Sequence, residues 1–545
     1  MVKKIIFEKE LFKNRKLQIL LITSLFFTTT FFNSAIAMNT SNDLKSLDIL
    51  YDFSSYEHDL DIGFIYNITE NLSNIIFTEY DEEAGEIAKG RAFGTKGEHK
   101  AAEILYENMS KLGLDTELQK IANTKKHPKL THSYDIFDKK VTLRNIKTNE
   151  TEILDSWVSP IEISPPFIEN KMVNYSLDDL KIKEMPRTIL GWIKAIAEDR
   201  NEDNYLFISD IRGGLCRNPN PSLPIDIKIM RKFFYPVRVI PSIAYTYFRR
   251  HVETFFLDKF FNNCNGRIIY DFTNDTHNTA VSSKGFKIPK IIINGTIGNK
   301  ILSDIENYTV DFYLKEMYNK SKISYNVIGL LNGTDKTKTV IVDCLYDSVW
   351  CQGTGDAALG MGIVMGVAKF FSDNNIIPKY NIKFIGFGAE EAGLRGSIYY
   401  EETHRDEDIK YVIDMNQVCS AQSDPELTLN LLFNNRRFMK EIWPIVQRSE
   451  FEERVNNTFI EKRWCPIGAP SDDQAFAKNR FNKVKTVCFL EDFPWIWHHR
   501  DGLNHKAGDV FDHLDWNEVR VTTEIVTNIT LYLTVEPSQI DNNIN

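Results

Sequence analysis

The sequence predicts an α/β fold: a mostly parallel mixed sheet flanked by helices, with a β-rich inserted domain. Three observations predict it. From Ile323 onward, apolar strand-like runs alternate with segments of helical periodicity, the pattern of a sheet covered on both faces. A helix-then-strand unit of the same kind lies far upstream, over residues 97–120. Between the two, short alternating runs, loops and prolines replace that texture. The chain therefore divides into an N-terminal part of the main domain (38–120), an insert (121–320) and the main domain proper (321–540), behind a leader (1–37).

Each element has a local cause. In "GRAFGTKGEHKAAEILYENMSKLGLDTELQKI", the span from Gly97 to Leu112 carries Ala101, Ile104, Leu105, Met109 and Leu112 at helical spacing, and Gly113 stops the helix before a strand-like run. In the insert, "KKVTLRNI", "YLFISDI" and "RIIYDF" alternate as strands do, and "KIPKIIINGTIGNKILSDI" reads as strand, glycine turn and short helix. In the main domain, "KTVIVDCLY" is a buried strand and Ala357 to Phe371 a helix. "NIKFIGFG" is the next strand, Leu394 to His404 a helix, and "KYVIDMNQV" and "LTLNLLF" two further strands. A helix over about 435–448, the strand "KVKTVCFL" and a closing helix from Asn517 to Leu533 complete the domain.

The leader has the parts of a secretory signal peptide. Lys3, Lys4, Lys13, Arg15 and Lys16 form a basic region, Leu17 to Phe32 is uncharged and apolar, and Ser34-Ala35-Ile36-Ala37 offers a small-x-small cleavage site. An uncleaved membrane anchor is the alternative, although the run is shorter than the roughly 20 residues of a spanning helix. Either way the bulk of the chain is expected to be exported. Over 545 residues, 43% hydrophobic, the chain can bury a large core and a smaller one. Its net charge of −10 has no long single-sign runs, which argues against a nucleic-acid partner. The oligomeric state is open.

The seven cysteines include no C-x-x-C pair, which argues against a zinc knuckle. Cys344 and Cys488 sit in apolar strand patterns and are expected as buried thiols. A Cys216–Cys264 disulfide is possible, but no sequence argument selects it. N-x-[ST] sequons occur, at Asn67, Asn294 and Asn528 among others, and matter only where exported proteins are glycosylated.

Polar residues gather at strand ends, where open α/β sheets bind ligands. Asp347 and Asp356 flank the turn in "LYDSVWCQGTGDAALG". Glu390 and Glu391 follow a strand in "GFGAEEAGLRGS". Asp414 and Asn416 lie in "VIDMNQVC", and His505 in "NHKAGDVFDHLD". Carboxylates and an imidazole converging in this way can hold a zinc-like cation. Of two adjacent acids in a tight turn, one can ligate and the other act as general base. The plainer reading of Glu390-Glu391 is a solvated pair at a helix entry.

These segments resemble the zinc exopeptidase family of bacterial leucine aminopeptidases and glutamate carboxypeptidase II, whose relatives include glutaminyl cyclases and the transferrin receptor. The resemblance rests on "GTKGEHKAAEILYENMSKLGLD", "YNVIGLLNGT", "VIVDCLYDS", "GTGDAALGMG", "FIGFGAEEAGLRGS", "SDDQAF" and "NHKAGDVFDHLD", in the family's order. It implies a zinc-exopeptidase-like fold and a peptide substrate. Asp356 then corresponds to the carboxylate that bridges two metals, Glu391 and His505 to its partners at one metal, and Glu390 to the general base. Asp347 corresponds to the carboxylate that orients a histidine of the other metal. The insert is similar to a protease-associated domain, chiefly through "IPKIIINGTIGNKIL".

The departures from the family strike one place. Leu345 stands where the other metal's histidine belongs, and Asn416 where its carboxylate belongs. Asp414, two residues away on the same strand face, is a possible substitute. The expectation is one Zn2+, with Asp356, Glu391 and His505 as ligands (Asp414 and Asn416 being possible ones), and with Glu390 and Asp347 as catalytic residues. "EDFPWIWHHRDGLNH" brings two tryptophans and His498-His499 near His505, as a pocket lining or as a packed loop. In "SDDQAF", Asp473 stands where the family more often has histidine; the plainer reading of the segment is a helix cap, with Ser471 or Asp472 facing free amides.

Three functions compete. The first is a secreted metallopeptidase, an aminopeptidase-like exopeptidase or amidohydrolase. The second is a non-catalytic binding protein on a degenerate peptidase scaffold, for which Leu345 and Asn416 speak. The third is a glutaminyl-cyclase-like acyltransferase, against which Leu345, Asn416 and Asn504 stand.

Overall fold

The computed structural model describes residues 58–75, 80–81, 85–86, 90–154, 156–158, 171–186, 189–199, 204–210, 261, 263–270, 289–349, 351–419, 429–447, 460–480, 483–491 and 509–535. The leader, Cys216, the tryptophan-histidine segment and His505 fall outside these residues.

Helices α1 (Ile62–Ser73) and α2 (Lys96–Lys111) precede strand β1 (Asp115–Lys120). The chain then forms a sheet from β2 (Ser133–Asn145), β3 (Thr151–Ile153), β4 (Ser156–Val158), β5 (Met172–Glu184), β6 (Tyr205–Asp210), β7 (Cys264–Tyr270), β8 (Lys290–Ile293) and β9 (Tyr308–Asn319), with helices α3 (Ile189–Glu198) and α4 (Gly295–Ser303). Its order is β3-β2-β9-β5-β6-β7-β8-β4, and it has its own apolar core, with Val141, Leu180, Ile208, Ile268, Ile291 and Phe312 buried. Long strands β2 and β9 pair antiparallel over their full length, which brings the chain back to where it left.

The second sheet uses β1 and everything after β9. Its strands are β10 (Tyr325–Leu331), β11 (Asp335–Leu345), β12 (Tyr380–Phe387), β13 (Asp408–Met415), β14 (Leu429–Phe433), β15 (Ile460–Trp464) and β16 (Lys485–Glu491), in the order β15-β14-β16-β13-β11-β12-β10-β1. The central neighbours β12, β11, β13 and β16 are parallel, and antiparallel strands flank them on both sides. Helix α5 (Leu359–Asp373) is buried along nearly its whole length between α1, α9 (Trp516–Thr534) and the sheet. Helices α6 (Arg395–Thr403) and α8 (Asp473–Asn479) pack together, and α7 (Arg436–Gln447) lies against α9. The mixed sheet flanked by helices is the predicted fold.

The parallel strands all deliver their carboxyl ends to one edge, and the predicted site residues Asp347, Asp356, Glu390, Glu391 and Asn416 lie there. The expected helix from Ala357 begins at Leu359, because residues 354–358 form a wider turn in which Asp356 (φ −119°, ψ 83°) and Ala357 (φ −143°, ψ 45°) leave helical values. Cys344 and Cys488 are buried, as their strand patterns imply. Cys264 is a free thiol with its Sγ 3.4 Å from the Gly266 carbonyl oxygen, so the structure gives no support to a bridge to Cys216.

Candidate active site

The turn after β12 is set by backbone geometry. Ala389 and Leu394 both take left-handed φ values (57° and 58°), and the amides of Gly393 and Leu394 donate to the Glu390 carbonyl at 2.7 and 2.8 Å. Gly396 then closes on Gly388, its amide 3.0 Å from the Gly388 carbonyl oxygen. A Cβ there would lie 2.3 Å from Asn326 Oδ1, so the close approach requires glycine.

Asp347, just past β11, fixes the glutamate pair. Its Oδ1 accepts from the Glu390 amide at 3.0 Å and its Oδ2 from the Glu391 amide at 3.2 Å. Asp347 is fully buried. Burial pushes its carboxyl well above the usual carboxylate range, and the charges of Glu98 and Glu391 add to the shift. The resemblance gives this residue a histidine to orient. Here Leu345 offers none, and Asp347 instead holds the backbone of the glutamate turn.

Glu390 is buried, and its carboxyl is also pushed well up, first by burial and then by the charges of Glu391, Asp472, Asp347 and Asp356. Glu391 is half-buried beside it. Asp356, buried in the wide turn, therefore lies within electrostatic reach of Glu390. Its loop is held by Asp509, whose Oδ1 accepts from the Gly355 amide at 2.7 Å and whose Oδ2 accepts from the Asp356 amide at 3.1 Å. Burial raises the Asp509 carboxyl to about 6.

Two further residues bind the site together, and the sequence reading missed both. Arg91 is fully buried. Its guanidinium donates to the carbonyls of Tyr346 (2.8 Å), Leu72 (2.8 Å), Gln352 (2.6 Å) and Gly353 (2.8 Å), and its amide donates to Ser348 Oγ. One side chain thus stitches the loop of Asp347 to the loop of Asp356. Burial lowers its pKa, while the charges of Cys351, Asp509, Asp347 and Asp356 oppose that shift.

The second is Glu98 in α2. Thr95 Oγ1 accepts from the Glu98 amide, and Glu98 Oε2 accepts at 2.6 Å from the amide of Gly94, the residue before the N-cap, a variant of the capping box. Its other oxygen, Oε1, accepts from Ser324 Oγ at 2.6 Å and from the Ala389 amide at 3.1 Å. A helix cap from the N-terminal segment thereby supports the glutamate turn. The T-x-x-E spacing was visible in the sequence, but its reach to residue 389 was not.

Burial lifts the Glu98 carboxyl to about 8. The folded state then keeps a proton that the unfolded chain releases near 4.5, so this contribution to stability is full at low pH and is lost as pH rises towards 8. Glu98→Gln is expected to flatten that fall in urea melts taken across the window. It should also cost about 1–3 kcal/mol, because its amide turns a donor towards the Gly94 amide. A variant with the wild-type pH slope would contradict the assignment.

The structure also shows how the residues are engaged at the positions where the resemblance expects ligands of a second metal. Leu345 is fully buried and belongs to the apolar core. Asn416 Nδ2 donates to Ser471 Oγ at 2.9 Å, and its Oδ1 accepts from the Gln417 amide at 2.7 Å, so its amide is committed to the protein. Asp414 is fully buried, with Oδ2 accepting from the Asp473 amide at 3.1 Å. Asp472 occupies the N-cap of α8 but makes no side-chain cap bond. The side-chain cap from Asp472 is thus not formed, and Ser471 Oγ instead accepts from Asn416.

Comparison with known proteins agrees with this architecture. Residues 326–530 match the model of Peptidase family M28. A probable glutamate carboxypeptidase from Arthroderma benhamiae is 29% identical over 174 residues, covering 30% of this chain and 24% of the relative; the match spans about a quarter of that protein's length. Among solved structures, a zinc aminopeptidase from Bacillus subtilis superposes with a TM-score of 0.56 at 17% identity, covering 88% of this chain and 96% of that one. A Peptidase M28 precursor from Shewanella amazonensis gives 0.56 at 15% identity, covering 86% and 92%. Over residues 326–530 the chain is therefore similar to Peptidase family M28, and in fold it is similar to solved zinc aminopeptidases.

Proposed function

We propose that the protein is a zinc-dependent peptidase, an aminopeptidase-like exopeptidase or amidohydrolase, with one catalytic metal. The observation that carries the reading is the pair of hydrogen bonds by which Asp347 holds both amides of Glu390-Glu391. They fix two adjacent acids beside the turn that presents Asp356. The donor set fits a divalent cation: Glu390 is surrounded by the charges of Glu391, Asp472, Asp347 and Asp356, and a cation would relieve that repulsion.

Asp356, Glu391 and His505 would hold the ion, which when bound supplies Lewis acidity towards water and an amide carbonyl. Glu390 takes the proton from the attacking water and returns it to the leaving amine. Asp347 and Glu98 hold the turn that aims Glu390, and Asp509 and Arg91 hold the loop of Asp356. The basic and apolar leader supports export, with peptides outside the cytoplasm as substrates. The insert, read as protease-associated-like, would limit access to short peptides.

A second reading, a binding protein on a retired scaffold, is favoured by the packing of Leu345 and the engagement of Asn416. A peptide panel separates the two. The peptidase releases terminal residues in a chelator-sensitive way, spares N-acetylated peptides, and loses both turnover and the catalytic metal on Asp356→Asn. Absence of metal-dependent release across the panel would leave the binding protein.

A further inference from the structure

Beneath the strand ends lies a second group of ligating side chains that the catalytic reading does not use. Asp343 on β11 pairs in register with Asp414 on β13, and Asp414 pairs with Cys488 on β16. Three adjacent parallel strands thus present two carboxylates and a thiol in one row across the sheet. Asp473, at the start of α8, covers the row. Ligand atoms of Asp414, Asp473 and Cys488 all lie within 4.8 Å of one another.

Every member is buried, with Asp343, Asp414, Asp473 and Cys488 all at 0% exposure. No amide, hydroxyl or basic donor reaches either oxygen of Asp343 or Asp414 Oδ1, and contacts run within the cluster, between Asp343 and Asp414 and from Cys488 to Asp414. Asp473 is better placed, accepting from the Ala469 amide at 2.8 Å and from Thr486 Oγ1 at 2.7 Å. The groups that act most strongly on Asp343 are Asp414, Asp472 and Asp473 rather than a basic side chain. The charge of exposed Lys478 reaches Asp473, but across solvent such a charge contributes little. A buried carboxylate with neither donor nor counter-ion is costly. Two arrangements remove the cost: protons shared among the acids, or a cation among them.

Cys488 hydrogen-bonds Asp414 in the protonated arrangement, and in the other it bears on which cation would bind. Carboxylates alone would suit a shared proton or a hard cation, whereas a thiol adds a soft ligand that selects a zinc-like ion. The row also stands in a telling place. Two residues further along β11, and just past the end of β13, are Leu345 and Asn416, where the resemblance expects ligands of a second catalytic metal. Side chains two apart share a face. Asp343 and Asp414 therefore repeat that ligand pair one pleat, roughly 6.6 Å, deeper in the sheet.

We propose that Asp343, Asp414, Asp473 and Cys488 form a buried structural site for one zinc-class divalent cation, separate from Asp356 and from the catalytic metal. For Asp414, Asp473 and Cys488, closing the site needs the ligand atoms to draw in by about an ångström, to the roughly 3.5 Å spacing of a tetrahedron with 2.0–2.3 Å bonds, and Asp343 joins from its register position beside Asp414. On binding, the thiol proton and any proton held among the acids leave to solvent. The ion ties β11, β13 and β16 to α8 and takes no part in turnover.

The test is cobalt substitution of the full chain. Protein unfolded in chelator, refolded with Co2+ and desalted should show a near-ultraviolet thiolate-to-cobalt charge-transfer band. Cys488→Ser should abolish the band and remove about one Co2+ per chain. Cys351→Ser, which alters a buried thiol near Asp356, and Asp356→Asn should both leave the band in place. Wild-type protein that takes up Co2+ without a thiolate band overturns the proposal, as does a band lost with Cys351→Ser rather than with Cys488→Ser. The wild-type spectrum decides even if Cys488→Ser does not fold. Asp356→Asn keeps this result independent of the proposed function, since it removes the catalytic metal alone.

Discussion

Glu390→Gln is expected to lower kcat by about 10²–10⁴-fold, the usual contribution of a positioned general base, while metal content stays at the wild-type level. The geometry separates the two readouts. Glu390 and Glu391 are adjacent, but Asp347 fixes each through its own amide. Exchanging one carboxylate for an isosteric amide leaves those bonds intact. Glu391, the proposed ligand, therefore keeps its place while the proposed proton acceptor is lost. Turnover and metal analysis on the same preparation check this. Unchanged kcat removes Glu390 from the mechanism, and a loss of metal equal to that of Asp356→Asn would make it a ligand instead.

The second large effect is on stability. Arg91→Met is expected to cost roughly 3–5 kcal/mol, because it strips donors from the carbonyls of Tyr346, Leu72, Gln352 and Gly353 at once. Its neighbours Asp347, Asp356 and Asp509 also lose a nearby positive charge. Arg91→Lys should recover only part of this, since an ammonium cannot reproduce the planar fork of donors. Urea denaturation at neutral pH measures both variants. A shift within about 0.5 kcal/mol of wild type for Arg91→Met, the size of an ordinary surface substitution, would contradict the role assigned to Arg91.

Much of the fold was legible because apolar periodicity is local. The helix read from Gly97 to Leu112 runs from Lys96 to Lys111, and the closing helix read from Asn517 to Leu533 runs from Trp516 to Thr534. The errors occur where tertiary contacts override the pattern. The run "KYVIDMNQV" reads as a strand as far as Val418, yet β13 ends at Met415, where Asn416 turns its oxygen onto the next amide. The helix after Asp356 starts late because Asp509, more than 150 residues away in sequence, holds the preceding turn.

The candidate site divides in the same way. Glu390, Glu391, Asp347 and Asp356 announce themselves through short motifs at strand ends. Arg91, Glu98 and Asp509 do not, because they act on backbone carbonyls and amides supplied by distant segments. Nothing beside them in the sequence records those partners. Asp343 escaped for another reason. An acid in an apolar strand reads as an isolated anomaly until β13 and β16 bring Asp414 and Cys488 into the same row.

The central claim is that the catalytic centre holds one metal. Anomalous diffraction at the zinc edge, from crystals of protein purified without added metal or chelator, tests it most directly. The account predicts a single peak in bonding contact with Asp356 and Glu391, none beside Leu345 and Asn416, and any further peak confined to the row of Asp343, Asp414 and Cys488. Two fully occupied peaks both bonded to Asp356 would contradict it, and would mean that the second metal survives without the ligands missing at Leu345 and Asn416.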